Sequence, residues 1–388
     1  MPHLRQIFRL AVLLLVMLAS SMFAPAAGSA QGKYLAYVGT YTDHGSKGIY
    51  VYRFDSSTGK LTSLSLAAEA TEPSFLAIDP SGRFLYADNE IADYGGQPTG
   101  AVSAFAIQPE TGKLSLLNQV SSLGAAPAHI VLDGAGKYAL VSNYTAGSVA
   151  VFPVLKDSRL GEASSFVQHN GSSVNPQRQK GPHAHAVALS PDNRFAVVAD
   201  LGLDELLVYS FDSAKGTLGA SPQIVKASPG AGPRHLAFSS DGRFLYVINE
   251  LKSTIVTYSY NAATGALHEL QTISTLPKTF SGNSTAAEIE IHPSGKFLFA
   301  SNRGDDSIAV FAIDSATGTL TNVENDSIRG KTPRSFAIDP TGSWLLAANQ
   351  DSNNIVVFRI DQKTGHLTLT GDVFQIASPT CLKFVALQ

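Results

Sequence analysis

The sequence predicts an all-β protein, one seven-bladed β-propeller, from three observations: a hairpin unit recurs, short strands follow one another without an intervening helix, and the termini carry complementary parts of a further unit. The unit is first written from Pro73 to Asn89. Its copies run from Pro127 to Asn143, Ala184 to Asp200, Pro233 to Asn249, Ala286 to Asn302 and Pro333 to Asn349. Gly82, Gly136, Asn193, Gly242, Gly295 and Gly342 occupy one turn position, at spacings of 54, 57, 49, 53 and 47 residues. Only Gly and Asn stand there, as a turn residue with positive φ requires, and a two-residue hairpin loop is expected.

A third strand follows each hairpin, at Ser148 to Val154, Glu205 to Phe211, Thr254 to Tyr260, Ser307 to Ile313 and Asn354 to Ile360. A Thr-Gly-x-Leu turn then opens a fourth strand at Leu61, Leu114, Leu267, Leu320 and Leu367, with weaker copies ending at Leu160 and Leu218. Seven such starts imply seven blades. At the C-terminus Pro379 begins a first strand and the chain stops. The start supplies what that strand lacks: Tyr34 to Gly39 reads as a second strand, Gly48 to Asp55 as a third and Leu61 to Leu66 as a fourth. Pairing the two ends closes the ring and removes an open sheet edge.

Composition fits one large core: 388 residues, 44% apolar, with 20 Phe and 13 Tyr. The net charge of -3 becomes about -5 without Arg5 and Arg9, which argues against a nucleic-acid partner. The single cysteine, Cys381, excludes an internal disulfide and a thiolate metal cluster. Residues 1–30 read as a secretory signal peptide, with Arg5 and Arg9, an apolar run from Leu10 to Leu18, and small residues through Gly28-Ser29-Ala30. The expected mature chain is one domain over residues 31–388, periplasmic or secreted. It has no membrane span after signal removal and is a monomer because its edges are covered.

Radial blades bring the ends of the innermost strands to one mouth of a central channel, so departures from the repeat mark candidate chemistry there. After the opening residue the copies read Ser74, Ala128, His185, Arg234, Ala287, Arg334 and Thr380. The next position reads Phe75, His129, Ala186, His235, Glu288, Ser335 and Cys381. After the second strand the series is Thr40, Glu90, Tyr144, Leu201, Glu250, Arg303 and Gln350. Blades three to six therefore concentrate His, Arg and Glu. Some of these groups can equally serve inter-blade hydrogen bonding, His129 above all.

His183-Ala184-His185 sets two imidazoles on one strand face, a weak metal signal that needs a third ligand such as His235 or Glu288; no metal or other cofactor is expected. Walker-type phosphate loops and a Gly-x-Ser-x-Gly elbow are absent, which disfavours nucleotide hydrolysis and that class of serine hydrolase.

Three segments carry a resemblance: Asn175 to His185 with Pro-His-Ala-His, Gly232-Pro-Arg-His235 with Asn249-Glu250, and Ala287 to Gly304 with Ser-Asn-Arg-Gly. Together with Tyr37-Val-Gly-Thr-Tyr-Thr42, they resemble the seven-bladed propeller lactonase family of 6-phosphogluconolactonases and carboxy-muconate lactonizing enzymes, over essentially the whole mature chain. The resemblance implies a small-molecule lactone substrate, no metal, and a catalytic set filled here by His183 or His185, Arg234, Glu250 and Arg303. Lactone hydrolysis needs a base for water, donors for the developing oxyanion and an acid for the leaving oxygen. Glu250 or His185 is the expected base, Arg234 and Arg303 the anion holders, and His183 or His235 the acid. His235, Glu288, Arg178 and Arg334 are the candidate substrate-binding residues, since guanidinium groups grip phosphate or carboxylate bidentately. The rival readings are an exported propeller that only binds an anionic carbohydrate or a protein, and a muconate-type cycloisomerase.

Overall fold

The computed structural model describes residues 32–387; the expected signal peptide lies outside them. The described chain forms seven antiparallel sheets, each read from its innermost strand outward, and contains no helix. One sheet joins the termini, in the order Pro379–Ala386, Lys33–Thr40, Gly48–Asp55 and Lys60–Glu69. The innermost strands of the others are Leu76–Ile78, Pro127–Leu132, Ala184–Leu189, Pro233–Phe238, Thr285–Ile291 and Pro333–Ile338. Each contacts the next, and Pro379–Ala386 contacts both the last and the first, so the ring is closed.

The turn residues of the repeat all have positive φ, from 61° at Asn193 to 71° at Gly342. The expected two-residue loop is nevertheless incorrect. In blade two the backbone N–H of Asp79 pairs with the carbonyl of Phe84, leaving four residues between them. The longer loop persists because its first side chain satisfies the backbone: in the last blade Asp339 accepts from the N–H groups of Ser343 and Trp344, both at 2.8 Å. Fourth strands in blades three and four are also shorter than the repeat suggests. Leu160 makes an isolated bridge to Val154 before Ser165–Gln168, and Thr217–Leu218 is separated from Gln223–Lys226.

Blades lock through aromatic side chains of the second strands. The hydroxyls of Tyr37, Tyr86 and Tyr246 donate to the carbonyls of Gly112, Ser158 and Gly318 in the next blade, each at 3.0 Å. Trp344 completes the series by donating its Nε1–H to the Ser56 carbonyl at 2.8 Å, joining the last blade to the first. The facing Gly59 has φ 76°, and a Cβ there would lie 2.5 Å from the Trp344 ring, so the Thr-Gly turn needs glycine for both conformation and space. Trp344→Ala is expected to cost about 3–5 kcal/mol, read as a lower denaturation midpoint with an unchanged slope.

The position after the opening residue is a bulge. In five blades the register skips a residue there, leaving Ala128, His185, Arg234 and Arg334 outside the ladder, together with Ala287 and Glu288. Bulges re-aim side chains. Three of the polar residues so released build the site below.

Candidate active site

At the mouth where the innermost strands begin, a cavity of about 170 Å³ is lined by Tyr41, Glu90, Ala128, Tyr144, Arg178, His185, Glu250, Arg303 and Arg334. Glu250, directly after the second strand of blade five, is a buried residue of this lining. Its Oε1 accepts from Arg178 Nη2 at 2.6 Å; its Oε2 accepts from Arg234 Nε at 3.1 Å and forms an ion pair with Arg303 Nη2 at 2.9 Å. His185 Nε2 lies 4.0 Å from the same Oε2. Burial pushes the Glu250 carboxyl up, but Arg303, Arg234 and Arg178 outweigh it and hold the group at about 2. It is an anion at neutral pH.

Arg178 reaches Glu250 from the connection between blades three and four. That segment is fixed locally: the Asn175 side chain accepts from the backbone N–H groups of Gln177 and Arg178, and buried Gln179 donates to the Leu201 carbonyl. Arg178 also donates to the Tyr144 hydroxyl at 3.1 Å. Arg234 is only 2% exposed and is missing from the cavity wall. It donates its second bond to the Ala287 carbonyl at 2.7 Å, so it supports Glu250 from behind. Burial, then Arg303 and Arg334, push Arg234 down to about 9, which leaves it protonated at neutral pH. Arg303 donates to the Ala286 carbonyl as well, while its buried Nε finds no partner among the described residues.

The two histidines of the His-x-His segment divide. His183 sits outside the cavity wall, stacked on Tyr144 at 4.6 Å, with Nδ1 3.0 Å from the Tyr144 carbonyl and its backbone N–H on Asp200. His185 faces the cavity and packs edge-on to Tyr144 at 5.3 Å. Burial, with Arg234, His235, Arg334 and Arg303 nearby, holds His185 well below the usual histidine range, so it is neutral. Among the described residues no group of three or more His, Cys, Asp or Glu is placed to hold a metal ion.

The opposite wall was only partly visible in the sequence. Arg334 lies over the Tyr41 ring at 5.0 Å and 3.6 Å from Glu90, whose Oε2 accepts from the Tyr41 hydroxyl at 2.8 Å. The expected ring position Thr40 is a misreading by one residue. Thr40 pairs with Pro379 as Asn143 pairs with Pro127, so Thr40 fills the asparagine place and Tyr41 belongs in the ring. His235 and Glu288 are not in this wall. They form a buried pair, Nδ1 to Oε1 at 2.8 Å, one layer deeper, with His235 5.1 Å from His185. The cavity thus has four guanidinium groups around it against the carboxylates of Glu250 and Glu90, an excess of positive charge suited to an anionic or oxyanion-forming ligand.

The chain matches the model of the family described as lactonase, seven-bladed β-propeller, over residues 35–384. It is 36% identical over 353 residues to a 6-phosphogluconolactonase of Bacillus subtilis, covering 91% of this chain and 99% of that protein. A 6-phosphogluconolactonase of Formosa agariphila is 36% identical over 306 residues, covering 78% of this chain and 85% of that one. The solved structure of a periplasmic gluconolactonase from Pseudomonas aeruginosa superposes with a TM-score of 0.86 at 37% identity, covering 92% of this chain and all of that one. By family match, blade count and ring closure, this chain belongs to the seven-bladed β-propeller lactonases.

Proposed function

We propose that the chain is an exported lactonase that hydrolyses a sugar-type lactone at the channel mouth by metal-independent acid–base catalysis. The observation that carries this reading is the buried Glu250 carboxylate held by three arginines beside a neutral His185, in the wall of a cavity sized for a small ring. Of the two bases open from the sequence, His185 is favoured. The Glu250 oxygens are occupied by Arg178, Arg234 and Arg303, whereas His185 lines the cavity as a neutral imidazole.

In this scheme water attacks the lactone carbonyl carbon as its proton passes to His185. The developing oxyanion meets the Arg303 guanidinium, which lines the cavity. The ring C–O bond then breaks, and the proton returns from His185 to the leaving alkoxide, giving a hydroxy acid. Glu250 offsets the charge that His185 gains, and Arg234 fixes Glu250. His183 holds Tyr144, so it is a positioning residue. Arg178 and Arg334 are available to the substrate's own anionic or polar groups. Export is supported by the basic, apolar and small-residue order of residues 1–30 and by the periplasmic relative.

Purified mature protein, assayed by acid release on phosphorylated and unphosphorylated sugar lactones and on a muconolactone, tests the reading. Turnover of at least one sugar lactone is expected. Saturable binding without turnover of any lactone would favour the binder. Arg334→Ala is expected to raise KM for a phosphorylated lactone by about tenfold with a smaller change in kcat, the signature of ground-state binding.

The pH profile has a definite sign. A base works when deprotonated, and His185 is held below its ordinary range. The acid limb of kcat/KM is therefore expected below about 6.5, with rates level from about pH 7.5 to 6.5. A limb at or above the ordinary histidine value would remove His185 as the base.

A further inference from the structure

The channel opens differently at its other mouth. A cavity of about 520 Å³ lies where the innermost strands end and their hairpins turn, and its polar wall is built from His129, Asp133, His235, Glu288, Glu290 and Lys383 around the ring of Phe75. The wall breaks a pattern. Two residues beyond the bulge-following position the blades carry Ala77, Val131, Ala188, Ala237 and Ala337, small groups that let seven strands converge. Blades six and one instead carry Glu290 and Lys383.

A neutralising ion pair is the plain explanation for an acid and a base in a channel, and the geometry is against it. Lys383 Nζ lies 4.8 Å over the Phe75 ring, with no carboxylate within ion-pair distance among the described residues. Glu290 accepts one bond, from the Ile338 backbone N–H at 2.9 Å. The His235 side chain is 95% buried, with Nδ1 committed to Glu288, yet its Nε2 has no partner; nor has Nδ1 of His129, 5.2 Å away. Burial keeps both imidazoles neutral; with Nδ1–H donating to Glu288, His235 Nε2 is an acceptor, while His129 Nδ1 is donor or acceptor by tautomer.

The wall therefore offers ammonium donors from Lys383 and carboxyl acceptors from Glu290, backed by the two imidazoles and by the Phe75 ring, which Lys383 and the His129 ring cover. One cation against the three carboxyl groups of Asp133, Glu288 and Glu290 gives an anion no advantage. We propose that this second cavity binds a neutral polyhydroxylated molecule of monosaccharide size, whose hydroxyls pair with the Lys383 ammonium and the Glu290 carboxyl. The proposal stands apart from the reaction at the first mouth.

The test is titration of the full mature chain with D-glucose, with sodium gluconate as the anionic comparison, followed by protein-observed NMR. Saturable glucose binding is expected, with shifts around Phe75, His129 and Lys383. Affinity should be about tenfold weaker in Lys383→Met and in Glu290→Gln, and lactone turnover within about twofold of wild type. Lys383→Met keeps the stem on Phe75 and Glu290→Gln keeps an acceptor for Ile338; if one fails to fold, the other decides. Absence of saturable binding, shifts confined to the Tyr144 and Glu250 mouth, equal affinity in the folded variants, or tighter binding of gluconate than glucose would each overturn the proposal.

Discussion

Removal of residues 376–388 is expected to abolish cooperative folding of the propeller. The strand Pro379–Ala386 is the innermost strand of the sheet that begins with Lys33–Thr40, paired from Tyr34 with Ala386 to Thr40 with Pro379. Without it, a strand with seven consecutive buried residues, Tyr34 to Thr40, becomes an unpaired edge on the channel. Thr380, Cys381, Leu382 and Val385 leave the core at the same time. Burial of an aliphatic side chain of this kind contributes about 1.5–3 kcal/mol, and the net stability of a domain is only about 5–15 kcal/mol. Circular dichroism should show no native melting transition in the truncated chain. A wild-type transition would mean that the ring is not closed by this strand.

Glu250→Gln is expected to damage both stability and turnover. The substitution keeps the shape and removes the charge, so Arg178, Arg234 and Arg303 face one another without their shared anion, two of them largely buried. Breaking one partner of a buried ion pair costs about 3–5 kcal/mol, because the remaining charge stays uncompensated. The cost carries a pH signature. Glu250 titrates at about 2 when folded and near 4.3 when unfolded, so its stabilisation is fully present above the unfolded value and disappears as pH falls toward the folded one. The stability gap between wild type and variant should therefore hold at neutral pH and shrink between about pH 4.5 and 2. Turnover should fall by about 10²-fold or more, since His185 loses the charge that stabilises its protonated form. Equal denaturation midpoints at pH 7 would show that the arginines do not depend on Glu250.

Why some of this was readable from residues alone has a physical basis. Blade count, strand order and ring closure follow from turn residues and alternation, which are local and repeated. Placement of His185, Arg234, Glu250 and Arg303 near one another follows from symmetry: equivalent positions in consecutive blades must converge on the axis. Depth along that axis is another matter. His235 differs from Arg234 by one residue, yet the bulge sends Arg234 to Glu250 and His235 to Glu288, and no spacing in the sequence announces a bulge. Arg178 lies in a connection outside the repeat, so its bond to Glu250 could not be read from alignment of the blades. Tyr41 was displaced by the one-residue register error at Thr40, and Lys383 was hidden in the half-unit that the C-terminus supplies.

Initial rates of acid release from glucono-δ-lactone and 6-phosphoglucono-δ-lactone, compared between the mature protein and His185→Gln near neutral pH, test the proposed chemistry most directly. The mature protein is expected to exceed the uncatalysed rate on at least one of the two, and His185→Gln to fall by about 10²-fold or more with an unaltered melting temperature. Equal rates in the folded variant and the wild type would place the hydrolysis somewhere other than beside Glu250, Arg303 and His185.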